Sequence, residues 1–149
     1  MKIAIANDHG GYEYKLMLLP FIEGMGHTVT DFGSFSAEAA DYFDPGLAAA
    51  EAVSRGEADR AVLICGTGIG MCITANKVKG VRCALCTDPL MAELTRLHND
   101  ANALALGGRI IGPELCKAIV KAYLDTEFSQ EERHARRIGK IAAYEERRG

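Results

Sequence analysis

A cysteine stands where an apolar run breaks into glycines, in the segment Ile-Cys-Gly-Thr-Gly-Ile-Gly at residues 64–70. A thiol at the beginning of a helix has a pKa below its usual value of about 8.5, because backbone amides stabilise the thiolate. The amides of Gly66, Gly68 and Gly70 can also stabilise an anionic oxygen of a substrate. Since a packing residue requires no such loop behind it, the segment predicts that Cys65 acts as a nucleophile or a base.

The better-known glycine loops do not fit this segment. A dinucleotide-binding loop requires a third glycine at position 71, and a cysteine phosphatase loop requires an arginine there, but the residue is Met71. A Walker loop ends in Gly-Lys followed by serine or threonine, and that ending is absent. Two kinds of thiol chemistry stay open. One is acyl transfer, which Asp8 and His9 could assist, and the other is abstraction of a proton from carbon.

Further histidines and arginines stand in the second half of the chain. His98 and Asn99 lie between a predicted helix and the fifth predicted strand, which places them at the amino edge of the sheet, away from the thiol. They therefore either cap the helix or act in the cleft of another subunit. Arg133 and Arg137 are four residues apart on a predicted helix, so they share a face that suits a phosphate. Arg136 fits a solvated face better.

Five successive pairs of strand and helix are predicted to position these residues. Strands are predicted at 2–7, 28–32, 61–65, 81–86 and 103–107, and helices at 12–25, 45–55, 69–78, 89–97 and 113–125. Strands that are apolar at nearly every position, separated by helices, indicate a parallel sheet covered on both faces. The predicted fold class is a three-layer α/β/α sandwich with a five-stranded, Rossmann-like parallel sheet. An extra C-terminal helix is predicted within the charged segment 129–149.

The loops after the first three predicted strands carry polar residues. Ligands of open α/β sheets bind beyond the carboxyl ends of the strands, where successive crossovers diverge. Loops 8–11, 41–44 and 65–70 all fall there. We therefore expect their side chains to meet in one cleft. The connection that contains 41–44 is longer than usual, which also favours a functional role.

Length and composition narrow the class of protein. The 149 residues suit one domain, 1–149, and 48% hydrophobic with 25% charged residues is typical of a globular protein. A net charge of −3 disfavours nucleic acid as a partner. No run reaches the roughly 20 apolar residues of a membrane span, and the first apolar stretch is too short for a signal peptide. These features predict a cytoplasmic protein without a membrane partner.

The chain has five cysteines, an odd number, and they lack the spacing of a disulfide scaffold. Free thiols are therefore predicted. Cys83 and Cys86 resemble a CxxC motif. They lie in a predicted strand, however, where residues three apart face opposite sides and cannot easily share a metal or a disulfide. Cys72 and Cys116 lie in apolar helical patterns, where a small hydrophobic packing residue is expected.

Six motifs taken in order resemble the type B ribose-5-phosphate isomerases and their relatives that act on other sugar phosphates. They are Asp-His-Gly-Gly at 8–11, Asp-Tyr at 41–42, the segment 64–70, Ala-Asn-Lys at 75–77, His-Asn-Asp-Ala-Asn at 98–102 and Arg-His at 133–134. The resemblance covers nearly the whole chain. It implies a Rossmann-like fold that binds no nucleotide, and a reaction that requires no cofactor and no metal. It also implies a homodimer with active sites shared between subunits, with a tetramer as the second option.

The resemblance implies a role for each matching residue. Cys65 would move a proton between C1 and C2 of the open-chain sugar, as in the thiol branch of the family; other members use a glutamate base elsewhere. The amides from Gly66 through Gly68 to Gly70 would stabilise the enediolate, and Thr67 would assist proton movement between the two oxygens.

The remaining matches concern the sugar ring and the phosphate. His98 would open the ring with Asp8 as its partner. The positions that match phosphate contacts are His9, Arg133 and Arg137, and those that match substrate-lining residues are Tyr42, Asn99 and Arg109.

The implied reaction is aldose–ketose isomerisation of a small phosphorylated sugar, with ribose 5-phosphate to ribulose 5-phosphate as the first choice. Allose 6-phosphate, galactose 6-phosphate and a tetrose phosphate are the alternative substrates, and a non-catalytic sugar-phosphate-binding module is the alternative from another class. Phe43 stands where the family pattern has proline, and Glu131 and Glu132 stand where glycines are common. These departures bear on the substrate more than on the reaction.

Overall fold

The computed structural model describes residues 1–149. Five strands form one parallel sheet: β1 (Lys2–Asn7), β2 (Thr28–Asp31), β3 (Arg60–Cys65), β4 (Cys83–Leu85) and β5 (Ala103–Gly107). Their order across the sheet is β2-β1-β3-β5-β4. Six helices accompany them: α1 (Tyr12–Gly24), α2 (Phe43–Ser54), α3 (Ile69–Ala75), α4 (Pro89–Asn99), α5 (Pro113–Asp125) and α6 (Glu132–Arg148).

The two faces of the sheet are covered by different helices, which confirms the predicted α/β/α sandwich. Along β3, Val62 and Ile64 pack toward the layer of α1, α4 and α5, while Leu63 and Cys65 pack toward α2 and α3. This alternation follows from the two-residue period of a strand. The helix α6, which is charged and has only His134 fully buried, packs against the outside of α4. None of the six helices combines the length and the apolar character that crossing a bilayer requires.

The strand order changes direction between β1 and β3. The chain passes from β1 to β2 on one side of β1, and β3 then pairs with the other side of β1. Loops after β1 and β3 therefore adjoin at the carboxyl edge of the sheet. Cys65 pairs in register with Gly107 at the end of β5, so the loop after β5 reaches the same place.

Element bounds differ from the predicted ones where polar side chains take over backbone hydrogen bonds. β4 begins at Cys83 rather than at 81, where the carboxamide of Asn102 accepts from the amide of Arg82 at 2.7 Å and the carboxamide of Asn76 accepts from the amide of Cys83 at 2.9 Å; it ends at Leu85. α3 ends at Ala75 rather than at 78. α2 begins at Phe43, two residues earlier than predicted, where Oδ1 of Asp41 accepts from the Phe43 amide at 3.0 Å.

Candidate active site

The thiol of Cys65 faces the loop that follows β3. Its Sγ accepts a hydrogen bond from the backbone amide of Gly68 at 3.0 Å, and the side chain is buried. Gly68 has φ of 82°, a left-handed conformation that other residues rarely adopt. A Cβ at this position would lie 2.5 Å from Cδ1 of Leu85 and 2.9 Å from the carbonyl carbon of Leu106. Glycine is therefore required for the turn that brings this amide to the sulfur.

The first loop lies directly against the thiol loop. The amide of Asp8 donates to the carbonyl of Ile64 at 3.1 Å, and the Asp8 carboxylate accepts from the amide of Gly11 at 3.2 Å. A Cβ on Gly10 would lie 3.0 Å from the amide nitrogen of Gly66 and 3.3 Å from Oδ1 of Asp8. The Asp8 carboxylate, which is largely buried, thus lies beside the beginning of the loop that holds Cys65.

The loop after β5 brings a guanidinium to the same place. The amide of Gly108 donates to the carbonyl of Cys65 at 2.8 Å, and the amide of Arg109 donates to the carbonyl of Gly66 at 2.9 Å. A Cβ on Gly66 would lie 3.1 Å from Nη1 of Arg109. The side chain of Arg109 therefore covers the first glycine of the thiol loop and supplies a positive charge for an anionic substrate.

Residues of the long connection complete this cleft. The ring of Tyr42 packs over Gly70, where a Cβ would lie 2.8 Å from two ring carbons. His9 Nδ1 accepts a hydrogen bond from the amide of Ala40 at 3.2 Å, which ties the first loop to this connection. Oγ1 of Thr67 accepts from the amide of Ile69 at 3.2 Å, so the hydroxyl hydrogen remains available to a substrate oxygen.

Three loops thus converge as expected, and the loop after β5 joins them. The residues that they bring together are Asp8, His9, Tyr42, Cys65, Gly66, Thr67, Gly68, Gly70 and Arg109. The arrangement offers a thiol, a row of backbone amides, a carboxylate and a cation in one cleft. Such a set can abstract a proton beside a carbonyl and stabilise the resulting oxyanion.

A second set of candidate residues lies at the opposite edge of the sheet. His98 and Asn99 end α4, and with Arg137 they line a surface hollow that also includes Arg82 and His134. The five residues of β5 separate the two edges, a distance of about 13 Å at 3.3 Å per residue. His98 is therefore not brought to Cys65 of its own chain.

The hollow contains an aromatic contact between two histidines. The imidazole rings of His98 and His134 are stacked, with centroids 4.4 Å apart and planes 17° from parallel. Burial lowers the pKa of His134, and the neighbouring His98 and Arg133 lower it further. Neither His134 nor Arg82 was assigned a role from the sequence. The Arg-His pair at 133–134 was the only signal for His134, and for Arg82 there was none.

The three arginines at the beginning of α6 have different surroundings. Arg137 lines the hollow, whereas Nε of Arg133 pairs with the Glu131 carboxylate at 2.9 Å. Arg136 pairs with Glu132 at 3.5 Å on the exposed surface. In the structure Arg137 thus lines the hollow, while Arg133 is paired with the carboxylate that precedes its own helix.

The chain belongs to the ribose/galactose isomerase family, whose profile matches residues 3–141. It is similar to ribose-5-phosphate isomerase B of Escherichia coli, at 43% identity over 99% of this chain and 98% of that protein. It is also similar to D-erythrulose-4-phosphate isomerase of Pectobacterium atrosepticum, at 42% identity over 97% of this chain and 95% of that protein. The solved structure of ribose-5-phosphate isomerase B from Clostridium thermocellum superposes with a TM-score of 0.97, at 50% identity and full coverage of both chains.

These similarities establish the class of enzyme. The protein is an aldose–ketose isomerase that acts on phosphorylated sugars. The relatives differ in the sugar that their names specify, so membership of the family does not by itself assign the substrate.

Proposed function

We propose that this enzyme interconverts ribose 5-phosphate and ribulose 5-phosphate with Cys65 as the base. The observation that carries this proposal is the position of the Cys65 sulfur, 3.0 Å from the amide of Gly68, at the beginning of a loop whose first glycine, Gly66, lies against the Arg109 guanidinium. A thiolate there removes the hydrogen from C2 of the open-chain aldose. Charge then develops on O1, and the amides of the loop stabilise it.

The remaining steps return the proton to the neighbouring carbon. The Thr67 hydroxyl, held by its bond from the amide of Ile69, assists the transfer of a proton from O2 to O1. The Cys65 thiol then gives its proton to C1, which completes the ketose and restores the thiolate. One well-placed oxyanion donor contributes about 3 to 4 kcal/mol of transition-state stabilisation, so the loop amides are a major part of the catalytic effect.

We propose that the enzyme is a homodimer in which each active site is shared, with pairing of dimers as a second option. His98 lies at the opposite edge from its own Cys65, so it reaches a thiol only in a partner subunit. A partly apolar surface that includes Leu85, Met91 and Leu94 adjoins His98 beside the edge strand β4. Burial of this surface against a second copy provides the driving force for association.

Residues around the hollow of one subunit would then open the sugar ring and bind the phosphate of a substrate held in the cleft of the other subunit. In this arrangement His98 opens the sugar ring with Asp8 of the other chain as its partner, and Asn99 lines the sugar. His9, Arg133 and Arg137 bind the phosphate, with Tyr42 and Arg109 at the sides of the cleft. The pair of Arg133 with Glu131 is exposed and contributes only about 0 to 1 kcal/mol, so a phosphate can displace it.

A tetrose phosphate is the second candidate substrate. The relative named for D-erythrulose 4-phosphate is nearly as similar to this chain as the relative named for ribose 5-phosphate. Phe43, which is half exposed and follows Tyr42, is the residue we expect to influence sugar length. Five unpaired cysteines are compatible with the reducing cytoplasm, which we propose as the compartment of the 1–149 domain.

The test is a panel of phosphorylated aldoses assayed for ketose formation in deuterated water. We expect the highest kcat/KM with ribose 5-phosphate, above the tetrose 4-phosphate, allose 6-phosphate and galactose 6-phosphate, and exchange of the C2 hydrogen with solvent. A higher kcat/KM for another sugar would overturn the substrate assignment. Binding of every sugar without exchange at C2 would overturn the proton-transfer mechanism.

A further inference from the structure

Arg82, directly before β4, holds the end of the helix that carries His98. Its Nε donates to the carbonyl of Asn99 at 2.9 Å and to the carbonyl of Asp100 at 3.2 Å, and its Nη2 donates to the same Asp100 carbonyl at 2.9 Å. The last carbonyls of a helix have no amide of that helix to bind. One edge of the planar guanidinium therefore satisfies the end of α4.

The residue after α4 has a backbone conformation that its neighbours must hold. Asp100 has φ of 46°, in the left-handed region, where the chain leaves α4. This conformation is unfavourable for a residue other than glycine. Both carboxylate oxygens are bound: Oδ2 accepts from Nη2 of Arg82 at 3.3 Å, and Oδ1 accepts from Nη1 of Arg96 at 2.8 Å. The two arginines thus hold the turn that ends the helix.

Only one of these two arginines lies beside the candidate functional residues. Arg96 is buried, and its other hydrogen bonds go to backbone carbonyls that do not line the hollow. Arg82 is partly exposed and lines the hollow together with His98 and Asn99. It therefore binds the backbone of the same residues whose side chains it adjoins.

The backbone of Arg82 is itself fixed to the sheet. Its amide donates to the Asn102 carboxamide at 2.7 Å, and its carbonyl accepts from the amides of Asn102 and Ala103 at 3.0 and 3.2 Å. The residue therefore connects the beginning of β5 to the end of α4. A side chain anchored in this way fixes the position of His98 relative to the sheet.

We propose that Arg82 is a positioning residue for ring opening, which holds the end of α4 so that His98 reaches the sugar ring in the cleft of the other subunit. This inference rests on the proposed function, because His98 acts on the sugar only if the active site is shared. Ring opening requires a proton donor within hydrogen-bond distance of the ring oxygen, and a displacement of about 1 Å can cost roughly 100-fold in rate. Arg82 acts through His98 and takes no part in the proton transfer by Cys65.

Two substrates separate ring opening from proton transfer. Ribose 5-phosphate closes to a ring that must be opened before C2 can react. Ribulose 5-phosphate cannot form a five-membered ring, because the oxygen on C5 carries the phosphate. Exchange of its C1 hydrogen in deuterated water therefore requires the base and the loop amides but no ring opening. At a saturating concentration, the exchange rate is also independent of weaker binding.

The variants are made in the full-length protein, and light scattering checks that they remain dimers. Arg82→Met keeps the apolar part of the side chain. Its kcat/KM for ribose 5-phosphate should fall about 10- to 100-fold, while exchange at C1 of ribulose 5-phosphate stays within about three-fold of the unmodified rate. Arg82→Lys keeps a cationic donor without the planar fork, so it should show a smaller loss of the same kind. If Arg82→Met does not assemble, Arg82→Lys serves for the same comparison.

Asn76→Ala is the control for a purely structural effect. The Asn76 carboxamide also holds the beginning of β4, by accepting from the amide of Cys83 at 2.9 Å, but it makes no hydrogen bond to α4 and does not line the hollow. This variant should change both rates by the same factor.

His98→Ala is the reference for a selective loss of ring opening. If it shows that loss and the Arg82 variants lose both rates equally, or neither, the inference about Arg82 is overturned and the proposed function stands. If His98→Ala shows no selective loss, the proposed role of His98 fails, and the inference fails with it.

Discussion

The amide of Gly68 donates a hydrogen bond to Sγ of Cys65 across 3.0 Å, within a turn that only glycine fits. This contact joins the end of β3 to the beginning of α3, so the same few residues hold the thiol and aim the amides beside it. The geometry explains why a glycine-rich loop follows the cysteine, and it makes the turn itself open to test.

Gly68→Ala should lower both activity and stability. The left-handed backbone costs a non-glycine residue about 1 to 2 kcal/mol, and the new methyl group would collide with Leu85 and the backbone at Leu106. We expect kcat to fall by at least about 100-fold as the amide moves away from the reacting atoms. Kinetics and urea unfolding measure the two effects. Gly24→Ala, at a helix end with open space around it, is the control and should leave activity unchanged without lowering stability.

Mixed dimers test whether active sites are shared. Cys65→Ala and His98→Ala homodimers should each have little activity. In a heterodimer of the two variants, one site lacks both residues and the other contains both. Random assembly from equal amounts should therefore restore about a quarter of the unmodified activity, since half of the dimers carry one intact site each. Co-expression with two different tags isolates the heterodimer, and an inactive heterodimer would exclude a site built from two chains.

The apolar surface beside His98 should be required for association. Leu94, on α4, is 37% exposed, and we expect Leu94→Asp to give a monomer because a carboxylate cannot be buried there without a partner. Light scattering after gel filtration measures the mass, and activity should be lost with the dimer. Leu16→Asp, at a leucine of α1 that is 45% exposed, is the control and should remain dimeric. A fully active Leu94→Asp dimer would be incompatible with this interface.

The stacked histidines predict a pH dependence of stability. The pKa of His134 is lowered by burial and by its neighbours, so the folded state binds fewer protons at this site than the unfolded state does. Stability should therefore fall as the pH drops through the ordinary histidine value of about 6.5. In urea unfolding at pH 7.5 and 5.5, His134→Phe keeps a ring against His98 and should show a smaller loss between the two pH values. An unchanged difference would show that His134 does not contribute.

The βα alternation was sufficient to predict the sheet, because the three central strands β1, β3 and β5 are buried on both faces and therefore almost entirely apolar. The bounds of β1, β5 and α5 agree with the predicted ones. β4 was harder to delimit, because its beginning depends on the side chains of Asn76 and Asn102, which lie elsewhere in the chain. Similarly, the early start of α2 depends on a single carboxylate, that of Asp41.

The thiol cleft was predictable because its residues follow strand ends, and topology brings strand ends together. The second hollow was only partly predictable. The stacking of His98 on His134 requires α6 to pack on α4, and a helix as polar as α6 has too few apolar residues to show where it docks. The pairing of Arg133 with Glu131 likewise depends on a side-chain contact that spacing along the chain does not fix.

The central claim is that the Cys65 sulfur carries the proton between C1 and C2, and the most direct measurement is the rate of C2 hydrogen exchange in Cys65→Ala. With ribose 5-phosphate in deuterated water, we expect both exchange and ketose formation to fall by about 100- to 10,000-fold, the usual contribution of a general base. Circular dichroism should show an unchanged fold, and the substrate should still bind. Exchange within a few-fold of the unmodified rate would contradict the assignment of Cys65 as the base.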